Sequence, residues 1–397
     1  MSLAALDGRS PAFISPVYVG VPFMESELRS AYHALIDEAF DRKYLTNNGP
    51  LVQRFESEIA VLHKTKYCSA LCNATIAQIL LMKAMGLEGE VILPSFTFIA
   101  TAHSCLWQNL DVVFCDISPD SLMIDPDRVE YLITPRTCAV VGVHIFGNIC
   151  DVDALSRICS RHGLKLIFDA AHAFNCSLGD RTVGSFGDGE FLSFHATKFL
   201  GTFEGGAVLC KDKELDAKIR LLRNFGFVDY DNVAHLGING KMSEASAAMG
   251  LASLPMIEQR TAKLSRVHHS YRKNLAEIPG IRILPVGEKG RSNYHYAVIL
   301  VDAALFGVSR DLLNEILWME NIRSRRYFFP GCHQVEYYGR VHRQRSDPLE
   351  VTEVVSQKVL CLPTNIDDPI ADIEKIASII REIHIKANEV NKWKSLQ

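Results

Sequence analysis

A lysine and an aspartate each follow a short apolar run, and they lie 29 residues apart. Asp169 ends LKLIFD, and Lys198 lies in SFHATKFL. Such runs are typical of buried strands, whose carboxyl ends present ligand-binding residues in an open α/β sheet. An amine that bonds a cofactor aldehyde and a carboxylate that holds a pyridinium nitrogen are what pyridoxal phosphate (PLP) chemistry requires. Either residue alone is more typical of a solvated lysine or a helix cap, so the flanking motifs decide.

The two side chains would have different tasks in PLP chemistry. The carboxylate of Asp169 would favour the protonated ring, which makes the ring an electron sink when a Cα proton leaves. The amine of Lys198, once released, would move that proton. His172 follows Asp169 by three residues and could contact the ring hydroxyl, although a single histidine is more often structural.

A phosphate site is predicted at the start of a helix. In LCNATIAQILLMKAMGLEG, Asn73 can cap a helix whose apolar positions include 76, 79 and 80. A helix N-terminus presents unpaired N–H groups and binds phosphate well. Ala74 by its backbone and Thr75 by backbone and hydroxyl are the expected donors, and the hydroxyl of Ser193 is a third. An ordinary capped helix is the alternative.

An aromatic side chain could lie flat on the pyridine ring. The segment PSFTFIATAH follows the predicted strand at 90–94, and Phe98 is the candidate for stacking. Phe96 and Phe98 alternate, so either could instead belong to the core.

The elements that must position these residues alternate between strand and helix. Helical segments such as 152–162 separate short apolar runs, which predicts a mainly parallel, doubly wound α/β sheet. After about residue 213 longer helices follow, with a single strand signal at 293–300 and a final helix near 369–388. We expect a large domain at 1–258, including an N-terminal arm, and a small C-terminal α+β domain at 259–397. The predicted strands of the large domain are 90–94, 111–117, 138–144, 164–169, 190–195 and 205–210.

Composition excludes several classes of protein. The 397 residues are 48% hydrophobic and 22% charged, as in an ordinary globular enzyme. A net charge of −4 argues against a nucleic-acid binder that neutralises phosphates. With no apolar run of 18 residues and no signal-like N-terminus, we expect a cytoplasmic protein without membrane contact. No G-x-G-x-x-G follows a strand, which disfavours a dinucleotide-dependent oxidoreductase.

The cysteines do not indicate metal or disulfide sites. They number eleven, and the nearest pair, Cys68 and Cys72, lacks a second pair at metal-ligand spacing. Buried reduced thiols, without a bound metal, are the better interpretation.

Together these motifs resemble a known family. The run DAAHAF, SFHATKFL and EGGAVL resembles the DegT/DnrJ/EryC1/StrS sugar aminotransferases, PLP enzymes of the aspartate-aminotransferase fold (fold type I). The resemblance extends in family order from about residue 15 to 365. The supporting matches are NNGPLVQRFE (47–56), CNAT (72–75), PSFTFIATAH (94–103), VFCDI (113–117), HIFGN (144–148), GINGKMSEASAAMGL (237–251) and RRYFFPGCH (325–333).

The resemblance implies a homodimer with active sites at the subunit interface. It implies that Asn239 reaches the cofactor phosphate of the neighbouring subunit and that Lys198 is the Schiff-base lysine. Family members with histidine at the lysine position dehydrate deoxysugars, so lysine favours the transaminase. The remaining implied roles are Thr75 and Ser193 for the phosphate, Asp169 for the ring nitrogen, His172 for the ring oxygen and Phe98 for stacking.

The chain departs from the family after the interface asparagine. The family often has Tyr-Arg there, whereas this chain has Gly240 and Lys241. Lysine keeps the charge but lacks the bidentate fork of arginine, so Lys241 is a candidate substrate contact of altered geometry. The RRYFFPGCH run resembles a subgroup that acts on nucleotide-linked 4-keto-6-deoxyhexoses. The candidates there are Arg325, Arg326 and Tyr327, which could instead be domain-interface residues.

The expected reaction is a transamination. L-Glutamate would donate the amino group, and a dTDP-4-keto-6-deoxyhexose would accept it, for surface polysaccharide or glycosylated metabolites. A 3-keto-sugar aminotransferase is the nearest alternative. A non-catalytic, cofactor-binding regulatory relative would be expected to lose the lysine or the phosphate residues, which this chain retains.

Overall fold

A computed structural model of the chain describes residues 3–340, 344–346, 348–366 and 368–396. Its strands are β1 (Val17–Tyr18), β2 (Tyr67–Leu71), β3 (Glu90–Pro94), β4 (Asp111–Cys115), β5 (Thr137–Val143), β6 (Lys165–Asp169), β7 (Ser177–Leu178), β8 (Arg181–Thr182), β9 (Gly189–Ser193), β10 (Gly206–Cys210), β11 (Ile281–Ile283), β12 (Ala297–Val301), β13 (Ile322–Arg323), β14 (Gln344–Ser346) and β15 (Val359–Leu362).

The helices connect these strands. They are α1 (Ala4–Asp7), α2 (Ser26–Arg42), α3 (Pro50–Leu62), α4 (Ala74–Met85), α5 (Ile99–Trp107), α6 (Pro126–Leu132), α7 (Val152–His162), α8 (Lys213–Leu222), α9 (Glu244–Ser253), α10 (Ile257–Leu275), α11 (Ala303–Phe306), α12 (Arg310–Met319), α13 (Glu336–Arg340), α14 (Glu350–Lys358), α15 (Ala371–Ile385) and α16 (Ala387–Ser395).

The central sheet has eight strands in the order β14-β4-β3-β5-β6-β9-β10-β2. β10 runs antiparallel to both neighbours, and the other pairs are parallel. The predicted α/β sheet is therefore confirmed, and the six predicted strands end within two residues of β3, β4, β5, β6, β9 and β10. The sequence did not predict β2 or the three-residue β14, whose positions depend on pairing with distant strands.

Alternate residues of each strand face opposite sides of the sheet. Val140 packs in a core with α3, α6, α7 and α9, whereas Val141 packs in a second core with α4, α5 and α8. Because both faces are covered, the strands are continuous apolar runs. This packing fixes the strand ends that carry the candidate residues.

The C-terminal part has a smaller sheet and its own core. The strand signal at 293–300 corresponds to β12, which pairs antiparallel with both β11 and β15. Both partners are three or four residues long, which gave no periodic signal in the sequence. The predicted final helix corresponds to α15, and Leu3 and Phe13 from the N-terminus join this core. The boundary at 258/259 falls inside α10 and stays a prediction.

A buried carboxylate joins the central sheet to the C-terminal part. Asp116, just after β4, accepts hydrogen bonds from the N–H groups of Val351 and Thr352 at 2.9 and 2.8 Å, and from the Thr352 hydroxyl at 2.7 Å. These groups lie in the first turn of α14, where a negative charge is favoured. α14 leads into β15, and Cys361 of β15 exchanges two backbone hydrogen bonds with Arg325.

Three further properties concern function. None of the helices in the described ranges is long and apolar enough to cross a membrane. The described residues contain no group of three His, Cys, Asp or Glu side chains that could hold a metal ion. All eleven cysteines are free, and nine of them are buried.

Candidate active site

A pocket of about 980 Å³ opens at the carboxyl ends of β5, β6 and β9, beside the N-terminus of α4. This catalytic pocket brings together most of the residues singled out from the sequence. The predicted residues that line it are Ala74, Thr75, Phe98, Asp169, His172, Ser193, Lys198 and Tyr327.

Asp169 ends β6 and is buried in the pocket floor, 6% exposed. Its Oδ1 accepts the N–H of Ala171 at 2.9 Å, and its Oδ2 accepts the hydroxyl of Thr101 at 2.8 Å. Burial raises the pKa of Asp169, while these two hydrogen bonds and the charge of Lys198 oppose that rise. The carboxylate is thus a charge whose burial is compensated by specific donors.

Lys198 lies in the turn after β9, where its N–H donates to the carbonyl of His195 at 2.8 Å. Although part of the residue is exposed, desolvation lowers the pKa of its amine to about 8, and Asp169 acts in the opposite direction. About a tenth of the amine is therefore neutral at pH 7, far more than at the ordinary lysine pKa of about 10.4, and the neutral form is the one that a nucleophile requires.

The N-terminus of α4 forms one end of the pocket. The side chain of Asn73 accepts the N–H of Ile76 at 2.9 Å, which confirms the predicted N-cap and aims the amides of the first turn at the pocket. Gly206 of β10 passes directly beneath, and a Cβ there would lie 2.5 to 2.6 Å from backbone atoms of Asn73 and Ala74. Ser193, at the end of β9, lines the same pocket.

His172 is buried among aromatic rings. Its Nε2 lies 3.1 Å from the hydroxyl of Tyr296, and its Nδ1 has no hydrogen-bond partner among the described residues. Its ring stacks on Phe328 with 5.8 Å between centroids. Burial, with smaller contributions from Lys198 and His295, lowers the pKa of His172 well below its usual value, so the imidazole is neutral.

The two alternating phenylalanines have different environments. Phe96 is 1% exposed and belongs to the core, whereas Phe98 is 55% exposed and lines the pocket. The structure therefore separates the two candidates, and the stacking role of Phe98 stays a prediction.

Two predicted residues lie on a separate, exposed surface. Asn239 is exposed and forms a backbone bridge with Asn224, outside the catalytic pocket of its own chain. The Nζ of Lys241 lies 4.5 Å from the centroid of the Phe225 ring. Apolar side chains on this segment are strongly exposed, with Tyr230 at 99%.

The remaining predicted residues border a second cavity. A groove of about 1320 Å³, here called the arginine groove, is lined by residues that include Trp318, Arg323, Arg325, Arg326 and Tyr327. Tyr327 lines both the groove and the catalytic pocket, so the two spaces are neighbours. Arg325 and Arg326 lie in the groove and do not line the pocket.

Sequence reasoning missed two residues that bond predicted ones and a third that bonds one of these two. Thr101 bonds Asp169, Tyr296 bonds His172, and the side-chain amide of Gln78 donates to the carbonyl of Thr101 at 2.9 Å. Thr101 follows Thr97 by four residues in PSFTFIATAH, which is a helical spacing that could have drawn attention to it. No local signal indicated Tyr296.

The donor set fits PLP. A buried carboxylate and a lysine amine share the pocket with a helix N-terminus, and the unpaired Nδ1 of the buried His172 is left for a polar group of a ligand. When bound, the cofactor supplies an electrophilic carbon and an electron sink.

Comparison with known proteins identifies the family. The sequence model of the DegT/DnrJ/EryC1/StrS aminotransferase family matches residues 27–381. The chain belongs to this family. A dTDP-4-amino-4,6-dideoxy-D-glucose transaminase of Shigella dysenteriae is 43% identical to this aminotransferase over 345 residues, which cover 87% of this chain and 93% of the relative.

Solved structures agree with this assignment. DesI, crystallised in the presence of its TDP-sugar product, superposes with a TM-score of 0.93 at 42% identity, covering 98% of this chain and 99% of DesI. NtdA from Bacillus subtilis, with bound pyridoxamine phosphate (PMP), gives 0.79 at 25% identity, covering 92% and 82%. The predicted family, fold type and aminotransferase activity are thereby confirmed, as is PLP/PMP as the family's cofactor.

The lowered pKa of Lys198 leads to a test on the cofactor-free aminotransferase. Covalent capture of PLP needs the neutral amine, so the initial capture rate should rise with pH through a midpoint near 8, the pKa of Lys198, instead of near the ordinary lysine value of about 10.4. The capture rate is measured by borohydride trapping followed by mass spectrometry of the Lys198 peptide. The same measurement on Nα-acetyllysine gives the reference, because PLP itself also titrates with pH. Lys198→Ala should give no adduct at this peptide. A midpoint near that of the reference amine would contradict the desolvated amine.

Proposed function

We propose that this aminotransferase transfers the amino group of L-glutamate to carbon 4 of a dTDP-linked 4-keto-6-deoxyhexose. The observation that carries the proposal is that Lys198 and Asp169 lie in one pocket beside the N-terminus of α4. The substrate class is supported by the names of the S. dysenteriae transaminase and of DesI with its TDP-sugar product.

Lys198 is the catalytic residue in this proposal. Its partly neutral amine would hold the cofactor and, once free, would move a proton at the substrate carbon. The carboxylate of Asp169 would hold the ring nitrogen in its protonated form. The Nδ1 of His172 is left for the ring oxygen, because the other ring nitrogen contacts Tyr296.

Phosphate binding and stacking complete the cofactor site. The amides of Ala74 and Thr75 and the hydroxyls of Thr75 and Ser193 are proposed to hold the phosphate at the positive end of α4. Phe98 borders the pocket with its ring half exposed and is proposed to cover one face of the pyridine.

We infer that the working form is a homodimer. Asn239 is exposed and does not line its own pocket, and the segment around it exposes large apolar side chains. These include Phe225 at 44%, Val228 at 46%, Tyr230 at 99% and Leu236 at 81%. Several large apolar side chains exposed on one segment are typical of a protein contact. Asn239 and Lys241 would then complete the partner's pocket, with Lys241 contacting an anionic part of the substrate.

The nucleotide is proposed to lie in the arginine groove. The described residues place no carboxylate within ion-pair distance of Arg323 or Arg325, whereas Arg326 pairs with Asp311 at 2.8 Å. Two guanidinium groups without a carboxylate partner suit a diphosphate. They lie over aromatic rings of the same groove, Arg323 at 5.1 Å from the centroid of Trp318 and Arg325 at 5.2 Å from that of Tyr327. Tyr327, shared with the catalytic pocket, would lie where the sugar joins the diphosphate.

The cellular location and the domain division are further proposals. A cytoplasmic location is supported by eleven free cysteines, which persist in a reducing compartment. Two domains at 1–258 and 259–397 are supported by the separate apolar core that one face of the small sheet forms with α12 and α15. The other face of that sheet, including Val298 and Val359, packs in the core of the central sheet.

A substrate panel tests the function. Purified holoenzyme with L-glutamate should aminate a dTDP-4-keto-6-deoxyhexose, detected by mass spectrometry of the product. Lys198→Ala should lower turnover by more than about 10²-fold, because the proton-transferring group is lost. Turnover of the 3-keto isomer alone would establish the 3-keto alternative. Absence of turnover on every keto sugar, with PLP bound, would favour the regulatory alternative.

The shared site leads to a complementation test. Lys198→Ala and Asn239→Ala subunits should each be weak alone, because each homodimer lacks one group at both pockets. After unfolding and co-refolding, mixed dimers should have one intact pocket and restore about a quarter of wild-type activity, as random pairing in a two-fold dimer requires. Activity that stays at the level of the separate variants would contradict a shared pocket.

The arginine groove leads to a test of nucleotide binding. Arg325→Ala should raise the KM for the nucleotide sugar by about tenfold or more, since a charged hydrogen bond to phosphate is lost. The half-reaction with glutamate should be unchanged. Arg282→Ala, which removes an exposed arginine on β11, is the matched control. An unchanged KM in Arg325→Ala would place the diphosphate elsewhere.

A further inference from the structure

The carboxylate of Asp169 has a hydrogen-bond donor on each oxygen, and the two donors differ in kind. The Oδ1 atom accepts a backbone N–H, whose position is fixed by the turn after β6. The Oδ2 atom accepts the hydroxyl of Thr101, a side chain of α5 that lies 68 residues earlier in the chain. The second contact therefore depends on the identity of one residue.

The hydroxyl of Thr101 has its own fixed partner. Its oxygen lies 3.1 Å from the hydroxyl oxygen of Thr97, and both threonines are at most 3% exposed. A hydroxyl has one proton, and since Thr101 donates it to Asp169, Thr97 must be the donor to Thr101. The three groups form a directed chain, from Thr97 through Thr101 to Asp169.

The backbone of Thr101 is also anchored. The side chain of Gln78 on α4 donates to the carbonyl of Thr101 at 2.9 Å, so α5 is tied to the helix whose N-terminus borders the pocket. By contrast, Ser104 on the same helix turns its hydroxyl back to the carbonyl of Ala100 at 2.8 Å. That is the ordinary local bond of a helical serine or threonine, which Thr101 does not make.

We propose that Thr97 and Thr101 form a hydroxyl relay that keeps the carboxylate of Asp169 ionised and oriented toward the ring nitrogen of the cofactor. Thr101 is a positioning residue in this scheme, because it acts through Asp169. The inference rests on the proposed role of Asp169 in cofactor binding. The relay would help to set the protonation state of the cofactor ring, in addition to the residues that contact the cofactor directly.

The physical reason is the burial of a negative charge. A desolvated carboxylate favours its protonated form, and burial does raise the pKa of Asp169. If the proton moved from the ring nitrogen to Asp169, the ring would lose the positive charge that makes it an electron sink. A hydroxyl donor on Oδ2 stabilises the ionised form and leaves other lone pairs of the carboxylate for the ring N–H.

The test is made on holoenzyme reconstituted with cofactor labelled with ¹⁵N at the ring nitrogen. Thr101→Val keeps the shape of the side chain and removes the hydroxyl. The ¹⁵N resonance should move from the pyridinium position toward that of neutral pyridine, and the half-reaction with glutamate should slow by about tenfold or more, the loss expected for a hydrogen bond to a charged group. Thr101→Ser, which restores a hydroxyl, should return both quantities toward wild type.

Ser104→Ala is the matched control, because it removes a buried hydroxyl from the same helix without touching Asp169. It should leave the resonance and the half-reaction unchanged. A Thr101→Val enzyme with the wild-type resonance and rate would overturn the proposal. If Thr101→Val does not fold, Thr97→Val is tested instead, because it removes the first donor of the relay. The ¹⁵N resonance should then shift less, in the same direction. An unshifted resonance in Thr97→Val would overturn the relay.

The resonance is recorded without a sugar substrate. A failed amination assay would therefore contradict the proposed function while leaving the outcome of this test readable. Conversely, an unshifted resonance in an active enzyme would overturn the relay alone.

Discussion

Burial of the Asp169 carboxylate is the constraint on which the site depends. The residue ends β6, with β5 and β9 on either side, so its charge lies at the carboxyl edge of a sheet whose two faces are covered by apolar cores. A charge in that position persists only with fixed donors, and Thr101 and Ala171 supply them. The same desolvation acts in the opposite sense on Lys198, whose amine loses part of its charge. One environment thus contains both an anchored anion and an amine that loses its proton more readily than an ordinary lysine.

The sequence predicted those parts of the site that are set locally. Asp169 and Ser193 end apolar runs that become strands, and parallel strands bring their carboxyl ends to one edge. Asn73 precedes a helical pattern and does cap α4. In contrast, the bond from Thr101 to Asp169 joins residues 68 positions apart, and the bond from Tyr296 to His172 joins residues 124 apart. Such contacts depend on how helices pack on the sheet, which periodicity does not encode.

The connection between the central sheet and the C-terminal part is also non-local. Ser95, just beyond β3, accepts the N–H of Cys332 with its carbonyl at 2.9 Å and contacts Nδ1 of His333 with its hydroxyl at 2.6 Å. With the backbone pairing of Arg325 to Cys361, this fixes both ends of the segment that includes Tyr327. A residue of the C-terminal part is in this way placed in the wall of a pocket built by the central sheet. The motif RRYFFPGCH could be recognised in the sequence. Its position between the catalytic pocket and the arginine groove could not be predicted from it.

The glycine beneath the first turn of α4 determines how near a ligand can come to the sheet. With hydrogen in place of a side chain at position 206, β10 and the helix start are in direct backbone contact. Any larger residue would have to lift the helix, because the nearest atoms belong to the main chain and not to a flexible side chain. The depth of the proposed phosphate site is therefore set by backbone contact alone. A substitution at this position would alter the proposed phosphate site before it altered the apolar packing that keeps the sheet folded.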